Sequence, residues 1–236
     1  MYYPYYFDPT YVLVIPALIL ALFAQAKVQS AFNKYLRVKS RAGVTGAQVA
    51  SGILSANGMI NVAVEQINGT LTDHFDPRTN VVRLSPQVYS GTSLASIAVA
   101  AHETGHALQH REGYVPLGIR QAILPIASFG SSLAIPLFIL GMLFSAGSGG
   151  IGVFLMDLGI WMFAGAVAFQ VVTLPVEFNA SKRALTLLAD GGFITSDEVP
   201  GARRVLEAAA LTYIAAAAMA VSQLLRLLVL RGRERD

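Results

Sequence analysis

The stretch AHETGHALQH, residues 101–110, contains three of the four histidines of this 236-residue chain. Its first histidine is followed directly by Glu103. The apolar, alanine-rich residues before the stretch predict a buried helix over residues 92–111. Residues four positions apart lie on one face of a helix, one turn from each other. His102 and His106 can therefore bind one metal ion together.

Glu103 has a different role in this pattern. It projects about 100° around the helix from His102, so it lies beside the ion without being well placed to bind it. From there it can accept a proton from a zinc-activated water. The HExxH motif combines these two roles, metal binding by the histidines and proton transfer by the glutamate. The alternative is an amphipathic helix with exposed polar side chains. A buried helix disfavours that alternative, because buried histidine needs hydrogen-bond partners and buried glutamate is rare unless paired.

The composition indicates an integral membrane protein. Hydrophobic residues make up 54% of the chain and charged residues 13%, which is about half of the usual charged fraction of soluble domains. The chain has no cysteine, so disulfides and thiolate metal sites are excluded and any metal must be held by histidine, carboxylate or water. The net charge of +3 is small, and the basic clusters indicate membrane topology rather than a nucleic-acid surface.

Four apolar segments predict a predominantly α-helical, polytopic membrane protein with a small β-sheet in its polar portion. The first segment, residues 11–26, precedes a cluster of basic residues within 27–41. That order indicates a span whose N-terminus is outside, with an aromatic belt at residues 2–7. A signal peptide cleaved at residues 24–26 is the alternative, but its basic residues would precede the apolar run.

Two further apolar segments, residues 122–144 and 151–174, are joined by a short uncharged linker, which predicts a transmembrane hairpin. The last segment, residues 208–230, is alanine-rich and includes Arg226. If it spans the membrane, it places three basic residues outside, against the positive-inside rule: Arg231, Arg233 and Arg235. It could instead lie along the inner interface, and both arrangements stay open at this point.

The polar portion lies between the first and second apolar segments. Thr45 and Gly58 bracket a predicted helix as its N-terminal cap and its stop signal. Alternating apolar and polar residues around Asn68 and Gly69 predict a β-hairpin. Residues 80–85 predict another short strand, for which an ordinary place within a sheet is the default interpretation and an edge offered to an extended substrate is the alternative. The predicted metal-binding helix follows this strand.

A catalytic zinc ion usually has three protein ligands and one open position, so a third ligand must be found. His110 is eight residues after His102, about 12 Å along the helix axis, and cannot reach the same ion. Glu112 stands where the extended HExxHxxGxxH motif has its third histidine, and Gln109 replaces the glycine of that motif, so Glu112 is a weak candidate. His74 lies at a predicted strand end, where a turn role is favoured over substrate binding.

Glu177 is the carboxylate that membrane topology favours as the third ligand. It follows the third apolar segment, and Pro175 suits the first turn of a new helix. With the N-terminus outside, the positive-inside rule places the helix of His102 inside, and the hairpin returns the chain to that side. Lys182 and Arg183 follow Glu177 there. The charge rule and the requirement that ligands converge therefore agree.

The stretches AHETGHALQH and LPVEFNAS resemble the bacterial YugP-like membrane proteins, a family of neutral zinc metallopeptidases, and the resemblance covers nearly the whole chain. More distantly, the sequence is similar to the HtpX-type gluzincin membrane proteases. This similarity implies zinc as the cofactor, with His102, His106 and Glu177 as its ligands and Glu103 as the catalytic carboxylate. In the HtpX type an aspartate commonly follows the ligand glutamate by four residues, whereas this chain has Ser181.

The sequence therefore predicts a zinc metalloprotease in the bacterial cell membrane that hydrolyses peptides or membrane proteins near the cytoplasmic surface. The lipid bilayer is the other expected partner, and no nucleic acid is expected. Two alternatives stay open: a non-catalytic membrane protein with a structural metal site, and a zinc hydrolase of non-peptide substrates. Five segments are predicted along the chain. They are an N-terminal transmembrane helix (1–26), a zincin-like polar portion (27–120), a transmembrane hairpin (121–174), a third-ligand helix with a following helix (175–207), and a C-terminal apolar helix with a basic tail (208–236).

Overall fold

The computed structural model describes residues 8–145 and 150–233. The predicted aromatic belt at residues 2–7, most of the hairpin linker and Arg235 lie outside these ranges. The described residues form a short 3-10 helix, seven α-helices and three β-strands. In chain order these are the 3-10 helix Pro9–Leu13, α1 (Ile15–Leu36), α2 (Gly46–Ala56), β1 (Ala63–Gln66), β2 (His74–Asp76), β3 (Val81–Leu84), α3 (Pro86–Tyr89), α4 (Leu94–Arg111), α5 (Val115–Ser145), α6 (Gly150–Asp190) and α7 (Val199–Arg233).

Four of the described helices are long and apolar enough to cross a membrane, namely α1, α5, α6 and α7. This finding confirms the predicted predominantly α-helical membrane class, and the three-stranded sheet confirms its small β component. Helix α1 begins and ends later than the predicted segment, at Ile15 and Leu36. Its start is delayed because the residues before it form the 3-10 helix, which the carboxylate of Asp8 caps.

Helix α6 continues through the position where the sequence predicted a new helix. Pro175 lies inside this single helix of 41 residues, so the expected helix start there is wrong. A proline removes one backbone donor and its ring crowds the preceding turn, but the helix is held by packing just beyond it, where Val176 and Ala180 are fully buried. A helix of this length measures about 62 Å, roughly twice the hydrocarbon thickness of a bilayer. Its last part, which carries Glu177, therefore extends beyond a single crossing.

The described residues divide into two compact units. The four long helices contribute residues to both of them. The polar unit consists of residues 24–118 and 174–212, and the membrane unit consists of residues 8–23, 119–145, 150–173 and 213–233. The five-segment division inferred from the sequence stays a prediction.

The sheet of the polar unit has the strand order β1-β3-β2. β1 runs parallel to β3, and β2 runs antiparallel to it. The hairpin predicted at Asn68 and Gly69 is therefore wrong, because the actual hairpin joins β2 to β3 through residues 77–80. The carboxylate of Asp76 stabilises that turn by accepting a 2.9 Å hydrogen bond from the N–H of Arg78. β3 is the central strand, which agrees with the default interpretation of an ordinary sheet strand and excludes the alternative of a free edge.

Helix α2 has the two ends that the sequence predicted. Thr45 accepts a hydrogen bond from the N–H of Gln48, and the side chain of Gln48 accepts one from the N–H of Thr45, which completes a capping box. Gly58 follows the helix with φ of +70°, a conformation that glycine adopts without a side-chain clash. α2 packs against α4, the helix of the metal motif. The buried core that both helices share includes Val49 and Ala50 of α2 and Ile97 and Ala98 of α4.

In the membrane unit, acidic side chains pair with arginines of the last turns of α7. Arg231 is only 6% exposed and donates to both carboxylate oxygens of Asp157, at 2.8 and 3.0 Å. Arg226 donates to Asp8 at 2.8 Å and lies 3.9 Å from the ring centroid of Tyr11. A charge inside the hydrocarbon region is costly unless it is paired. These contacts explain how an apolar helix can contain arginines.

Candidate metal centre

Helix α4 positions the two histidines of the HExxH motif. The helix begins at the cap Ser93, whose hydroxyl accepts from the N–H of Ser96 at 3.1 Å. Its alanine-rich first half is buried, which fixes the face that the following turns present to their neighbours. The rings of His102 and His106 lie with their centroids 4.8 Å apart and their planes nearly perpendicular. The pair is therefore oriented side by side, as the four-residue spacing predicted.

Helix α6 brings Glu177 to the same place. This side chain is 2% exposed, and its Oε2 atom lies 3.2 Å from Nε2 of His102 and 3.5 Å from Nε2 of His106. One potential ligand atom from each residue lies within 4.8 Å of the others. Among the described residues, this trio has the arrangement needed to hold a metal ion. The three residues that the sequence proposed as ligands are thus brought together.

A glycine between the two histidines lets the two helices approach closely. A Cβ atom built on Gly105 would lie 3.0 Å from the carbonyl oxygen of Ala180 and 3.4 Å from its Cα. Contacts this short are tighter than normal packing allows. Gly105 is buried at this contact. The absence of a side chain at this position therefore contributes to the distance between the histidines and Glu177.

Each histidine has a hydrogen-bond partner on the ring nitrogen that faces away from Glu177. Nδ1 of His102 lies 3.2 Å from Oγ of Ser181, and Nδ1 of His106 lies 3.0 Å from Oε1 of Gln109. Partners of this kind orient metal-binding imidazoles and fix their tautomers. Ser181 thus occupies the position four residues after Glu177 where the HtpX type commonly has aspartate. In the sequence, Gln109 stands out only as the residue that replaces the glycine of the extended motif, although its place three residues after His106 on one helix also makes it a neighbour of that ring.

Glu103 lies beside the cluster on α4 and is 8% exposed. Sequence reasoning missed a second carboxylate near it. Asp73 accepts hydrogen bonds from the N–H of Ser85 at 2.7 Å and from its hydroxyl. Burial raises the pKa of Asp73, and the negative charge of Glu103 raises it further, although the hydrogen bonds from Ser85 oppose the shift. The negative charges of the two carboxylates therefore repel each other.

The acidic neighbours also affect His106. Burial disfavours its charged form, but the hydrogen bond to Glu177 and the charges of Glu103 and Glu177 outweigh burial and raise the pKa of His106. The carboxylates around this imidazole thus favour a positive charge on the ring. A divalent cation bound to the ring would interact favourably with the same carboxylates.

Three other candidates from the sequence are not part of the cluster. His110 packs against Phe75, with ring centroids 5.8 Å apart. Glu112 forms an ion pair with Arg183, with an N–O distance of 2.7 Å. Nδ1 of His74 lies 2.8 Å from a backbone carbonyl oxygen two residues earlier. The structure therefore favours Glu177 over Glu112 as the third member of the group.

The whole chain can be compared with known proteins. Residues 10–232 match the family described as "Putative neutral zinc metallopeptidase". The chain belongs to this family. It is also similar to the "Putative membrane protease YugP" of Bacillus subtilis (strain 168), with 49% identity over 226 residues, which is 95% of this chain and 98% of that protein. No solved structure matches the chain.

The donor set fits the zinc of the neutral zinc metallopeptidase family. Two imidazole nitrogens and one carboxylate oxygen are a usual set of protein ligands for a catalytic zinc, with a fourth position left open. Calcium and magnesium prefer oxygen ligands alone, and the chain has no cysteine that could complete a four-thiolate structural site. The cofactor of this membrane-associated family member is therefore zinc, and His102, His106 and Glu177 form a group able to hold it.

Proposed function

We propose that this protein is a membrane-embedded zinc metalloprotease that hydrolyses peptide bonds near the cytoplasmic surface of the membrane. In this proposal His102, His106 and Glu177 are the zinc ligands, and Glu103 is the general base. The observation that carries it is the convergence of Nε2 of both histidines on one carboxylate oxygen, at 3.2 and 3.5 Å. Three ligands leave a fourth zinc position for water and substrate.

When bound, zinc lowers the pKa of a water molecule and polarises the carbonyl of the scissile peptide bond. The remaining steps fall to Glu103. Its carboxylate accepts the proton of the attacking water and then donates it to the leaving amine. Its position next to His102 on the same helix supports this role, because the side chain lies close to the ligands but points around the helix from them. The low exposure of Glu103, 8%, favours proton transfer within the site.

The location of the reaction follows from the charge distribution along the chain. Basic residues cluster directly after the first apolar segment and again after Glu177, which favours the cytoplasmic side for both regions. Helix α4, which carries the metal motif, is separated from α5 by only three residues, and α5 is apolar enough to span a membrane. Substrates close to the membrane surface, such as the tails of membrane proteins, are therefore the expected class.

The test is Glu103→Gln in the purified full-length protein, with Glu207→Gln, an exposed change on α7, as the control. We expect Glu103→Gln to retain zinc and to lose peptide hydrolysis by about 10²–10⁴-fold, the usual contribution of a general base. The readouts are zinc per protein by elemental analysis and cleavage of a peptide mixture by mass spectrometry. Full activity in Glu103→Gln would exclude the assigned base. A wild-type protein that contains zinc but cleaves no peptide would instead indicate a structural metal or a non-peptide substrate.

A further inference from the structure

Gln109 is an unusual residue for the interior of α4, because its amide side chain is fully buried. Every polar atom of that amide nevertheless has a partner. Oε1 lies 3.0 Å from Nδ1 of His106, and Nε2 lies 2.8 Å from the carbonyl oxygen of Val176 and 2.9 Å from Oδ1 of Asn179. The amide thus joins one candidate ligand to two residues of α6, one of which directly precedes Glu177.

The partners determine which way the amide points. The carbonyl oxygen of Val176 can only accept a hydrogen bond, so the atom that faces it must be the NH₂ group of Gln109. The other amide atom is therefore the oxygen, and it can only accept. In its neutral form His106 must consequently carry its single ring proton on Nδ1, which leaves the lone pair of Nε2 available for a metal ion. Nε2 is the atom that faces Glu177, at 3.5 Å from its Oε2.

The hydrogen bonds continue beyond Gln109 and return to its own helix. Oδ1 of Asn179 also accepts from Nε of Arg183 at 2.7 Å. The guanidinium of Arg183 donates to Glu112 at 2.9 Å, and Glu112 is the C-cap residue that directly follows α4. The path from Gln109 through Asn179 and Arg183 to Glu112 therefore connects α4 and α6 at two points. Such a closed path restrains the two helices that carry the ligands more firmly than one contact could.

We propose that Gln109 is a positioning residue that selects the metal-binding tautomer of His106 and ties its imidazole to the backbone next to Glu177. The proposal rests on the metal site assigned in the proposed function, but it requires no peptide hydrolysis. A residue with a packing role alone would fill the same volume without directing a proton. If Gln109 only fills space, a non-polar side chain of the same size should leave metal binding unchanged. If Gln109 positions His106, the same substitution should weaken metal binding.

The experiment compares Gln109→Met, which keeps the volume but loses every hydrogen bond, with Thr104→Val. Thr104 is a matched control, because it is also fully buried on α4 and its hydroxyl donates to the carbonyl oxygen of Ala100 rather than to a ligand. Zinc affinity is measured by competition with a chelator, and ligand geometry by the visible spectrum of the cobalt-substituted protein. Thermal unfolding of the metal-free proteins reports general loss of stability.

We expect Gln109→Met to weaken zinc binding by about 10–100-fold, as outer-sphere changes typically do, and to alter the cobalt spectrum. Thr104→Val should destabilise the metal-free protein but leave both metal readouts as in the wild type. Gln109→Glu, which keeps an acceptor for Nδ1 of His106 but loses the NH₂ donors, should have a cobalt spectrum closer to that of the wild type than Gln109→Met has.

Wild-type zinc affinity together with an unchanged cobalt spectrum in Gln109→Met would overturn the proposal. If Gln109→Met does not fold, Gln109→Ala, which also removes the acceptor for Nδ1 of His106, decides instead: about tenfold weaker zinc binding supports the positioning role, and wild-type affinity contradicts it. The result is separate from the proposed function. A wild-type protein that binds zinc without cleaving peptides leaves the role of Gln109 intact, whereas an active Gln109→Met variant with unchanged metal binding removes that role alone.

Discussion

The Nε2 atom of His102 lies 3.2 Å from the Oε2 atom of Glu177, although 75 residues separate the two in the chain. The intervening chain includes all of α5 and more than half of α6. This single relationship joins a local helical motif to a distant carboxylate and gives a set of three atoms with the arrangement needed to hold a metal ion. The predictions below test how that set is assembled.

Glu177→Ala should abolish stoichiometric zinc binding. It removes the only carboxylate of the trio, and the expected loss of affinity is greater than the roughly 10–100-fold of outer-sphere changes. The measurement is zinc per protein by elemental analysis after dialysis against a weak chelator. Asp190→Ala is the control, because Asp190 is an exposed carboxylate at the end of the same helix. Near-normal zinc in Glu177→Ala would remove this residue from the ligand set.

Gly105→Ala should weaken zinc binding by separating α4 from α6. The new Cβ atom would lie 3.0 Å from the carbonyl oxygen of Ala180, a backbone atom that cannot rotate away. We expect a loss of stability of about 1–3 kcal/mol, typical of an overpacked core, together with lower zinc affinity. Gly118→Ala on α5 is the matched control, since a Cβ atom there meets nothing within 4 Å. Equal zinc affinity in both variants would show that the close approach does not set the ligand distances.

Ser181→Ala should weaken zinc binding, whereas Ser181→Asp should not. The alanine variant removes the partner 3.2 Å from Nδ1 of His102, and we expect about tenfold weaker zinc binding. The aspartate variant supplies a charged acceptor for the same ring nitrogen, so its affinity should equal or exceed that of the wild type. Chelator competition measures both. A loss of affinity in Ser181→Asp as large as that in Ser181→Ala would contradict the role of Ser181 as an acceptor for His102.

The side of the membrane on which the polar region and the C-terminus lie can be tested with single cysteines, because the chain has none. Four spans and an outer N-terminus place the polar region inside and the C-terminus outside. A membrane-impermeant maleimide should therefore label Asp236→Cys in intact cells but label Arg78→Cys only after permeabilisation. The pairing of Arg231 with Asp157 supports an outer C-terminus, because it offsets the positive charge that the rule disfavours there. Labelling of Arg78→Cys in intact cells would place the site on the other side.

The sequence alone predicted the features that depend on short-range geometry and on hydropathy. The spacing of His102 and His106 fixes their common face on any helix, and the capping residues Thr45 and Gly58 mark the ends of α2 in the structure as in the sequence. Long apolar stretches gave the membrane class, because a bilayer imposes a minimum helix length. Glu177 could be nominated because charge counting places both ligand-bearing regions on one side.

Tertiary structure decided every feature that depends on which distant residues meet. The dipeptide Asn68-Gly69 is typical of a tight hairpin turn. In the structure, however, β1 pairs with β3 in parallel, so no hairpin forms at that dipeptide. Pro175 stays inside α6, where the packing of Val176 and Ala180 holds the helix together. The sequence does not show which groups the amide of Gln109 contacts, whereas the fold places it between His106 and the backbone of Val176.

The same division applies to the candidate site. A helical period is set by bonds between residues four apart, so the sequence contains it wherever a helix forms. The partners of a buried side chain are set by the packing of two helices, in which small differences in the approach of α4 and α6 change every contact. The sequence by itself therefore determined the histidine pair and the membrane-spanning character. Only the folded chain determined that Ser181 and Gln109 are the groups that orient the two rings.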